Sequence, residues 1–308
     1  MTTRARVRGR VVVAVAALLA ALAARPAVAW LPDGHMATGA LAFDALQRRD
    51  PEAVAAVIRL MPAHPDWPRF LENSRGLTGP AWERRVFELM ARWPDDARRG
   101  PLDHDDWHYS QKVASGMRFV LPMAFGGAER AFRRNLRIAR DPGARPAERA
   151  VALCWVMHIV GDMHQPLHAA LWMSLRFPIT DRGGNSAWVR PSEAAAPERL
   201  HWFWDSAGGA AGVSLASPAA LEARLEREHP DPGSPPPADA EEAFADWVAA
   251  SRALARGAVY EDGALRAGTS PQSAPVLAPG YVADARKVAA RRLAEAGHRI
   301  GAIFVGVR

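Results

Sequence analysis

The segment that most constrains the fold is His158–His168, which reads HIVGDMHQPLH and follows a helical stretch, ERAVALCWVM. A helix that continues through this segment places His158 and Asp162 four residues apart on one face. An imidazole nitrogen and a carboxylate oxygen on one face can bind the same cation. Pro166 cannot continue a helix, and it disfavours helical backbone at Gln165. The chain is therefore predicted to turn at Gln165-Pro166 and to bring His168 back to the same cavity.

The fold class follows from length and composition. The chain has 308 residues, 49% of them apolar and many of them alanine, which is enough for one large core. Alternating β-branched runs are scarce, so we predict an all-α protein, a single-domain helical bundle with a short β-hairpin or loop insertion at 177–197. The predicted helices are Met36–Arg49, Pro51–Met61, Pro68–Asn73, Ala81–Trp93, Gly126–Arg140, Pro146–Met163, Glu198–Ser206, Pro218–Glu228, Ala238–Tyr260 and Tyr281–Phe304.

The first 29 residues are typical of a secretory signal peptide. A basic start leads into the apolar run Val11–Ala24, and Ala27-Val28-Ala29 forms a small-x-small cleavage pattern before Trp30. The alternative is a membrane anchor, but this run is short for a span, and no second run of spanning length follows. We therefore predict a signal peptide at 1–29, one domain at 30–308, and a periplasmic or secreted product with no membrane span after processing.

Neither bulk charge nor cysteine content indicates a function. The formal net charge is +6, but the first 29 residues carry five arginines and no acid. The remainder has 34 basic and 33 acidic residues, so its net charge is +1, which does not favour a nucleic-acid binder. Cys154 is the only cysteine, and its apolar helical context, ALCW, favours a core thiol over a nucleophile.

Five of the ten histidines stand in contexts typical of metal ligands. They are His35, His108, His158, His168 and His201. His201 is followed by Asp205 in LHWFWD, which repeats the four-residue spacing of His158 and Asp162. A single histidine is more often structural, but this repeated pattern favours metal binding. Nitrogen and carboxylate ligands without thiolate indicate zinc, or manganese or iron, and their number exceeds one tetrahedral site. A multinuclear site is therefore predicted.

These motifs together resemble the zinc-dependent S1/P1 nuclease family, which comprises secreted single-strand nucleases and 3′-nucleotidases and shares its fold with zinc-dependent phospholipase C. The resemblance runs through ordered motifs from Trp30 to Asp205, and the C-terminal third matches only in its helical character. It implies a helical bundle of the phospholipase C and nuclease P1 type.

The resemblance implies three Zn²⁺ ions per chain, held by nine residues. One site would use Asp95, His108, His158 and Asp162. A second site would use the amino group and carbonyl of Trp30, His35 and Asp162 as a bridging ligand. A third site would use His168, His201 and Asp205. Asp96 competes with Asp95 for the first site. The signal peptide would have to be cut immediately before Trp30, because an amide nitrogen cannot replace a free amine as a ligand.

Further positions match groups that handle the substrate. Arg98 stands where fungal members have lysine, and it could contact phosphate oxygens in a bidentate manner. Asn185, in a Gly-Gly-Asn segment, matches a nucleotide-contacting asparagine. Gln111 replaces an aspartate that reads the base in fungal members, so their base preference does not carry over. Candidates for stacking on bases are Trp107, Tyr109 and Trp202, although their context favours core packing for each.

The implied function is hydrolysis of single-stranded RNA or DNA to 5′-phosphate products, with possible 3′-nucleotidase activity. Asp95, Asp162 and Arg98 would be the catalytic residues, acting through metal-activated water and charge neutralisation at the phosphate. Two alternatives remain, a phospholipase C acting on lipid phosphodiesters and a non-catalytic zinc-binding protein. Asp205 favours the nuclease over the lipase, which tends to have glutamate there. No stable protein partner is implied.

Overall fold

The computed structural model describes residues 30–115, 123–209, 218–233 and 235–308, so the predicted signal peptide lies outside the described residues. The protein is all-α, as predicted. The α-helices are α1 (Pro32–Arg49), α2 (Pro51–Leu60), α3 (Trp67–Asn73), α4 (Gly79–Asp96), α5 (Ala128–Arg140), α6 (Pro146–Met163), α7 (Pro166–Ala169), α8 (Leu200–Ala207), α9 (Pro218–Glu228), α10 (Ala240–Leu254) and α11 (Pro279–Ile303). Shorter turns are 3-10 at Met61–Ala63, Asp105–His108, Glu261–Gly263 and Pro271–Ser273, and π-helical at Ala255–Val259.

Small sheets complete the architecture. Strands β1 (Gln111–Ser115), β2 (Ala124–Phe125) and β3 (Ala170–Met173) form one sheet in the order β2-β1-β3, with β1 antiparallel to β2 and parallel to β3. Strands β4 (Trp188–Val189) and β5 (Glu198–Arg199) form a second, antiparallel pair. Strand β4 lies in the predicted insertion at 177–197, whereas β5 occupies the first two residues of the helix predicted at Glu198–Ser206. The pairing of β1 with β3 was not predicted, because each strand is short and its partner lies about sixty residues away, beyond any local pattern.

Helix α6 is the centre of the bundle, and its bounds are those predicted. Its mean composition is apolar, and nearly every side chain after Glu148 is buried, as expected for a helix surrounded by protein on all sides. Helices α1, α4 and α5 pack directly against it, and α11 closes the bundle against α1 and α6. The polar groups of α6, His158 and Asp162, are therefore forced to find partners inside the protein.

Only α6 and α9 have both predicted bounds, and the other predicted helices begin or end at different residues; α10, for example, ends at Leu254 instead of Tyr260. Two of the differences, in α1 and α4, lie near the site. Helix α1 begins at Pro32 instead of Met36, because proline is well suited to the first turn of a helix. Helix α4 continues past Trp93 and through Pro94 to Asp96. Asp95, which lies beyond the predicted end of this helix at Trp93, is therefore part of the helix, and the helix fixes the direction of its side chain.

Two further observations concern Cys154 and membrane spans. Cys154 is completely buried in the core, and burial raises the pKa of its thiol well above the usual range. A buried, protonated thiol is a poor nucleophile, which agrees with the predicted core role.

Among the described residues, no helix is both long enough and apolar enough to cross a membrane.

His64 provides a prediction about acid stability. Its ring is buried between Phe70 and Trp93, and its Nδ1 accepts a hydrogen bond from the backbone N–H of Asp66 at 3.0 Å. Burial lowers the pKa of His64 from 6.5 to about 4. The folded state therefore binds its proton only at lower pH than the unfolded state, and stability falls as the pH decreases from 6.5 to 4.

We expect the wild type to lose about 3 kcal/mol more unfolding free energy than His64→Asn over this pH interval. Asparagine can still accept the Asp66 N–H but does not titrate. Denaturant unfolding of both metal-free proteins at several pH values measures the difference. Parallel stability curves for the two proteins would contradict the assignment to His64.

Candidate metal centre

Five side chains from four segments converge beside the C-terminal half of α6. Helix α6 supplies His158 and Asp162, α1 supplies His35, α4 supplies Asp95, and the 3-10 turn Asp105–His108 supplies His108. Asp162 is central: its oxygens lie 3.3 Å from His35 Nε2, 2.9 Å from His108 Nδ1 and 3.2 Å from His158 Nε2. The ligating atoms form two groups that share His158, one with His35 and Asp162 and one with Asp95 and His108.

A third group lies beyond Asp162 and consists of His168, His201 and Asp205. His168 is on α7, directly after the turn at Gln165-Pro166, and its Nδ1 lies 4.0 Å from Asp162 Oδ2. His201 and Asp205 are one turn apart on α8, with His201 Nε2 3.7 Å from Asp205 Oδ2. The predicted turn at Pro166 thus places His168 next to the first two groups.

Backbone carbonyls fix which nitrogen of three histidines carries the proton. Nδ1 of His158 donates to Ala91 O at 2.8 Å, that of His168 to His108 O at 2.7 Å, and that of His201 to Gly183 O at 2.5 Å. The Nε2 atoms therefore present lone pairs, and those of His168 and His201 face each other at 3.1 Å. Two opposed lone pairs repel unless a cation lies between them. This arrangement is the usual one for metal-binding histidines.

Buried polar atoms without partners give the same indication. Within the described part of the chain, no hydrogen bond reaches His35 Nδ1 or Nε2, Asp95 Oδ2, His108 Nε2, Asp162 Oδ1 or Asp205 Oδ2. His35 Nε2 and Asp162 Oδ1 are close, but their geometry is not that of a hydrogen bond. Leaving a buried polar group unpaired costs about 1–3 kcal/mol. Because these unpaired atoms occur in all three groups, they are best explained as ligands of cations, which would replace the missing hydrogen bonds.

The pKa shifts show that the third group lacks a positive charge. Burial lowers the pKa of His168 to about 3 and that of His201 to about 4, so both rings are neutral. Burial raises the pKa of Asp205 well above its usual range, against a hydrogen bond from Gln165. A cation would reverse the shift at Asp205, because it favours the carboxylate.

The first two groups are organised around an ionised Asp162. Burial alone would raise the pKa of Asp162, but the surrounding histidines, above all His158, hold it well below its usual range. Burial likewise opposes charge on His158, yet Asp162 and then Asp95 raise its pKa. Burial lowers the pKa of both His35 and His108. The carboxylate of Asp162 thus lies close to three imidazole rings, and its two oxygens could each bind a different cation.

Trp30 lies at the edge of the first two groups. Its indole ring is buried, and its Nε1 donates to Gly161 O at 3.0 Å, next to Asp162 in the chain. The following residue, Leu31, donates its N–H to Asp205 O at 3.3 Å. Gly161 permits the close approach of α1, because a Cβ at this position would lie 3.1 Å from His35 Nδ1. The first described residue is thus anchored between α6 and α8.

The structure distinguishes Asp95 from Asp96. Asp95 faces the histidines, with Oδ1 3.7 Å from His158 Nε2, whereas Asp96 points away and pairs with Arg92 at 2.9 Å and Arg69 at 3.3 Å. The helical course of α4 explains the difference, since consecutive residues project about 100° apart. Of the two alternatives left by the sequence, only Asp95 is placed to be a ligand.

Arg98 lies at the mouth of the centre. Its Nε donates to Asp95 Oδ1 at 3.0 Å, and its Nη1 lies 3.1 Å from Asp105 Oδ1. The Arg98 side chain is only 11% exposed, so it is held in place before any substrate arrives.

Asn185, the second substrate candidate, is partly exposed beyond the third group, and its side-chain amide N–H donates to Arg182 O at 3.1 Å.

The remaining substrate candidates differ in their exposure. Gln111 is buried, and one N–H of its side-chain amide donates to Leu167 O at 2.7 Å. Trp107 stacks on His104 and packs edge-on against Trp155, which makes it mainly a packing residue. Tyr109 stacks on His168, with ring centres 4.6 Å apart. Trp202 is 47% exposed, so of these aromatics it has the largest free ring surface, contrary to the packing alternative.

Sequence reasoning missed the role of Asp181. This carboxylate is completely buried and accepts hydrogen bonds from the N–H groups of Trp172, Gly183 and Gly184 and from the Tyr260 hydroxyl, all between 2.7 and 3.0 Å. It thereby fixes the loop whose Gly183 carbonyl orients His201. Both glycines have positive φ, 61° and 80°, which favours glycine. The DRGGN pattern was the available signal, but the sequence does not show that the aspartate is buried.

Gln165 was recognised only as the residue before a turn, yet it also positions a ligand. Its Nε2 donates to Asp205 Oδ1 at 2.6 Å, and its side-chain oxygen accepts the Leu167 N–H at 2.5 Å. We expect Gln165→Leu to weaken metal binding at the third group by about 10- to 100-fold, as is usual when a partner of a metal ligand is removed. Competition with a coloured zinc chelator measures the affinity.

The matched control is Gln111→Leu, because Gln111 is also buried but donates to a backbone carbonyl instead of a ligand. We expect its metal affinity to stay within about twofold of wild type, since no ligand loses its partner. Equal losses in both variants would show that general packing, and not the hydrogen bond to Asp205, sets the affinity.

Comparison with known proteins adds one finding. The sequence model of the S1/P1 nuclease family matches residues 30–307, nearly the whole chain. No curated protein sequence matches the chain.

Proposed function

We propose that this chain, which belongs to the S1/P1 nuclease family and is therefore a hydrolase of phosphodiester bonds, is an exported enzyme that cleaves single-stranded nucleic acid with three bound zinc ions. Products would carry 5′-phosphates, and 3′-nucleotides would be further substrates. The observation that carries the proposal is the set of three adjoining His and Asp groups, in which several buried nitrogen and oxygen atoms have no hydrogen-bond partner among the described residues.

The donor chemistry supports zinc. Members of the family are metal-dependent, and the three groups offer imidazole nitrogens and carboxylate oxygens. The only cysteine, Cys154, is a buried free thiol and belongs to none of these groups. Such mixed nitrogen and oxygen sets suit zinc better than magnesium or calcium, which prefer oxygen ligands. Asp95, His108, His158 and Asp162 would hold one ion, and His168, His201 and Asp205 another. His35, Asp162 and the free amino group of Trp30 would hold a third.

Bound zinc would supply a water of lowered pKa and positive charge for the phosphoryl oxygens. The protein's own groups would do the rest. Arg98, already fixed by Asp95 and Asp105, would donate to a non-bridging phosphate oxygen, and Asn185 would offer its amide to the nucleotide. Trp202 presents an exposed ring beside His201 on which a base could stack.

The site's depth supports a preference for single strands. Eight of the nine ligand candidates are at most 3% exposed, namely Trp30, His35, His108, His158, Asp162, His168, His201 and Asp205. The width of a duplex would keep its phosphates from reaching these buried side chains, whereas a single strand is flexible enough to bend its backbone into the site. The signal pattern at 1–29 supports export, and it also supports a free amine on Trp30.

The experiment is to export the full chain from a bacterial host and measure its intact mass, zinc content and products from a labelled single strand. We expect a mass that begins at Trp30, about three zinc ions per chain and 5′-phosphorylated products. Cleavage of lipid phosphodiesters in place of nucleic acid would overturn the proposed substrate. One zinc or fewer in the active enzyme would overturn the trinuclear centre.

A further inference from the structure

A face of helix α5 carries a concentration of arginine. The exposed residues are Arg130, Arg133, Arg134, Arg137 and Arg140, which we call the arginine face, and the buried side consists of Ala131, Phe132, Asn135, Leu136 and Ala139. These spacings of three and four residues place the guanidinium groups as neighbours along one helix surface. The chain from Trp30 onward has a net charge of only +1, so this clustering is local.

Most of this charge is not neutralised within the described part of the chain. Arg133 lies 3.8 Å from Glu241, and Arg140 donates to the backbone carbonyl of Ile303 at 2.8 Å. Among residues 30–115, 123–209, 218–233 and 235–308, no carboxylate lies within 4.0 Å of the guanidinium nitrogens of Arg130, Arg134 or Arg137. The only acid of the helix, Glu129, is bound by Arg252 at 2.9 Å and by Ser110 at 2.6 Å. Glu148 interacts with Arg134 only at longer range and is paired with Arg145.

Such a face lowers the stability of the isolated protein. Like charges three and four residues apart on a helix destabilise it by a few tenths of a kcal/mol for each pair. An arrangement that costs stability and in which only Arg133 has a carboxylate within ion-pair distance among the described residues fits an external polyanion. A lipid surface fits less well, because the exposed residues of this face are arginines without large apolar neighbours among them.

The face begins at the segment that supplies His108. The N–H of Gly127 donates to Asp106 O at 2.6 Å and that of Ala128 to Tyr109 O at 3.0 Å, so the start of α5 is joined to both sides of His108. The guanidinium of Arg134 lies 5.8 Å from the ring of Trp107. From Arg130 to Arg140 the helix rises about 15 Å, so the face leads away from the metal centre.

We propose that the arginine face binds the phosphate backbone of a single strand whose scissile phosphate lies at the metal centre. This proposal rests on the proposed function and adds a binding surface for the nucleotides beyond the cleaved bond. Phosphates on a polymer would replace the missing acidic partners and release bound counterions. Short substrates that end at the metal centre would not reach the face, and their turnover would not depend on it.

The test is the triple variant Arg130→Gln, Arg134→Gln, Arg137→Gln of the zinc-loaded enzyme. Initial rates are measured on a thirty-nucleotide thymidine strand and on a thymidine dinucleotide over a range of salt concentrations. For the long strand we expect KM to rise by about tenfold at low salt with little change in kcat, and the slope of log(kcat/KM) against log salt to fall by about 2. For the dinucleotide we expect changes within about twofold.

Two further variants control for charge and for folding. The triple variant Arg59→Gln, Arg75→Gln, Arg227→Gln removes three exposed arginines from other elements and should leave the long-strand KM near the wild-type value. Replacing Arg130, Arg134 and Arg137 by lysine keeps the charge and should retain most of the salt slope. Melting temperatures of all variants show whether the fold is preserved.

The outcomes separate the two proposals. Equal effects of the α5 and control variants, or equal losses on the strand and the dinucleotide, would overturn the role of the arginine face. Loss of binding to anionic lipid vesicles with unchanged turnover of the long strand would overturn it in favour of a membrane. Absence of turnover of both nucleic-acid substrates by the wild type would instead overturn the proposed function.

Discussion

Replacement of Asp162 by asparagine is expected to reduce phosphodiester hydrolysis by about a thousandfold or more. The carboxylate contacts His35, His108 and His158 and is held in its ionised form. Asparagine preserves its shape but removes the charge that two cations would share, so the loss of metal should exceed the loss of folded protein. Rates on a single-stranded oligonucleotide and metal content by elemental analysis provide the measurement.

Asp96→Asn is the matched control for this variant. Asp96 belongs to the same neighbourhood in the chain as Asp95 but binds Arg92 and Arg69 on the outside of α4. We expect its activity to stay within about twofold of wild type and its unfolding free energy to fall by about 1 kcal/mol or less, because partly exposed ion pairs contribute little. An Asp162→Asn protein with full metal content and wild-type rates would show that Asp162 does not organise the centre.

Removal of the metal ions with a chelator is expected to lower the Tm by about 10 °C or more. A ligand present at a thousandfold excess over its Kd stabilises the folded state by about 4 kcal/mol, and several ions contribute together. Their loss leaves the lone pairs of His168 and His201 opposed at 3.1 Å, and it leaves Asp162 Oδ1 and Asp205 Oδ2 without a hydrogen-bond partner among the described residues. Differential scanning calorimetry before and after dialysis measures the shift.

Re-addition of metal identifies the ion. Zinc should restore the Tm, whereas an equal concentration of magnesium should not, because imidazole-rich groups bind zinc in preference to magnesium. A metal-free protein that melts at the wild-type temperature would mean that the three groups are satisfied without cations, and the proposed centre would have to be abandoned.

Local patterns predicted the helical framework well where a helix depends on its own residues. The bounds of α6 and α9 are those predicted, since each helix has proline at its start and continuous helix-forming residues after it. The predictions failed where tertiary contacts override local signals. Helix α4 runs through Pro94 because its end is packed in the core, and β1 pairs with β3 although neither is a strong strand by itself.

The candidate site shows the same division. Spacing alone brought His158 to Asp162 and His201 to Asp205, because residues four apart share a helix face in any helix. The spacing of residues did not decide between Asp95 and Asp96. It also did not show that Asp181 and Gln165 hold the ligands in position, because hydrogen bonds between distant segments leave no local sequence pattern.

The sequence by itself therefore determined the fold class, the two His and Asp pairs at four-residue spacing and the resemblance to the nuclease family, which in turn implied the nine candidate ligands. These inferences depend on residue types and on their order and spacing along the chain. Only the tertiary structure decided which carboxylate faces the histidines, which nitrogens present lone pairs, and that the arginine face of α5 begins next to the segment that supplies His108. Those properties depend on the direction of each side chain and on burial, which arise only when separate helices pack against one another.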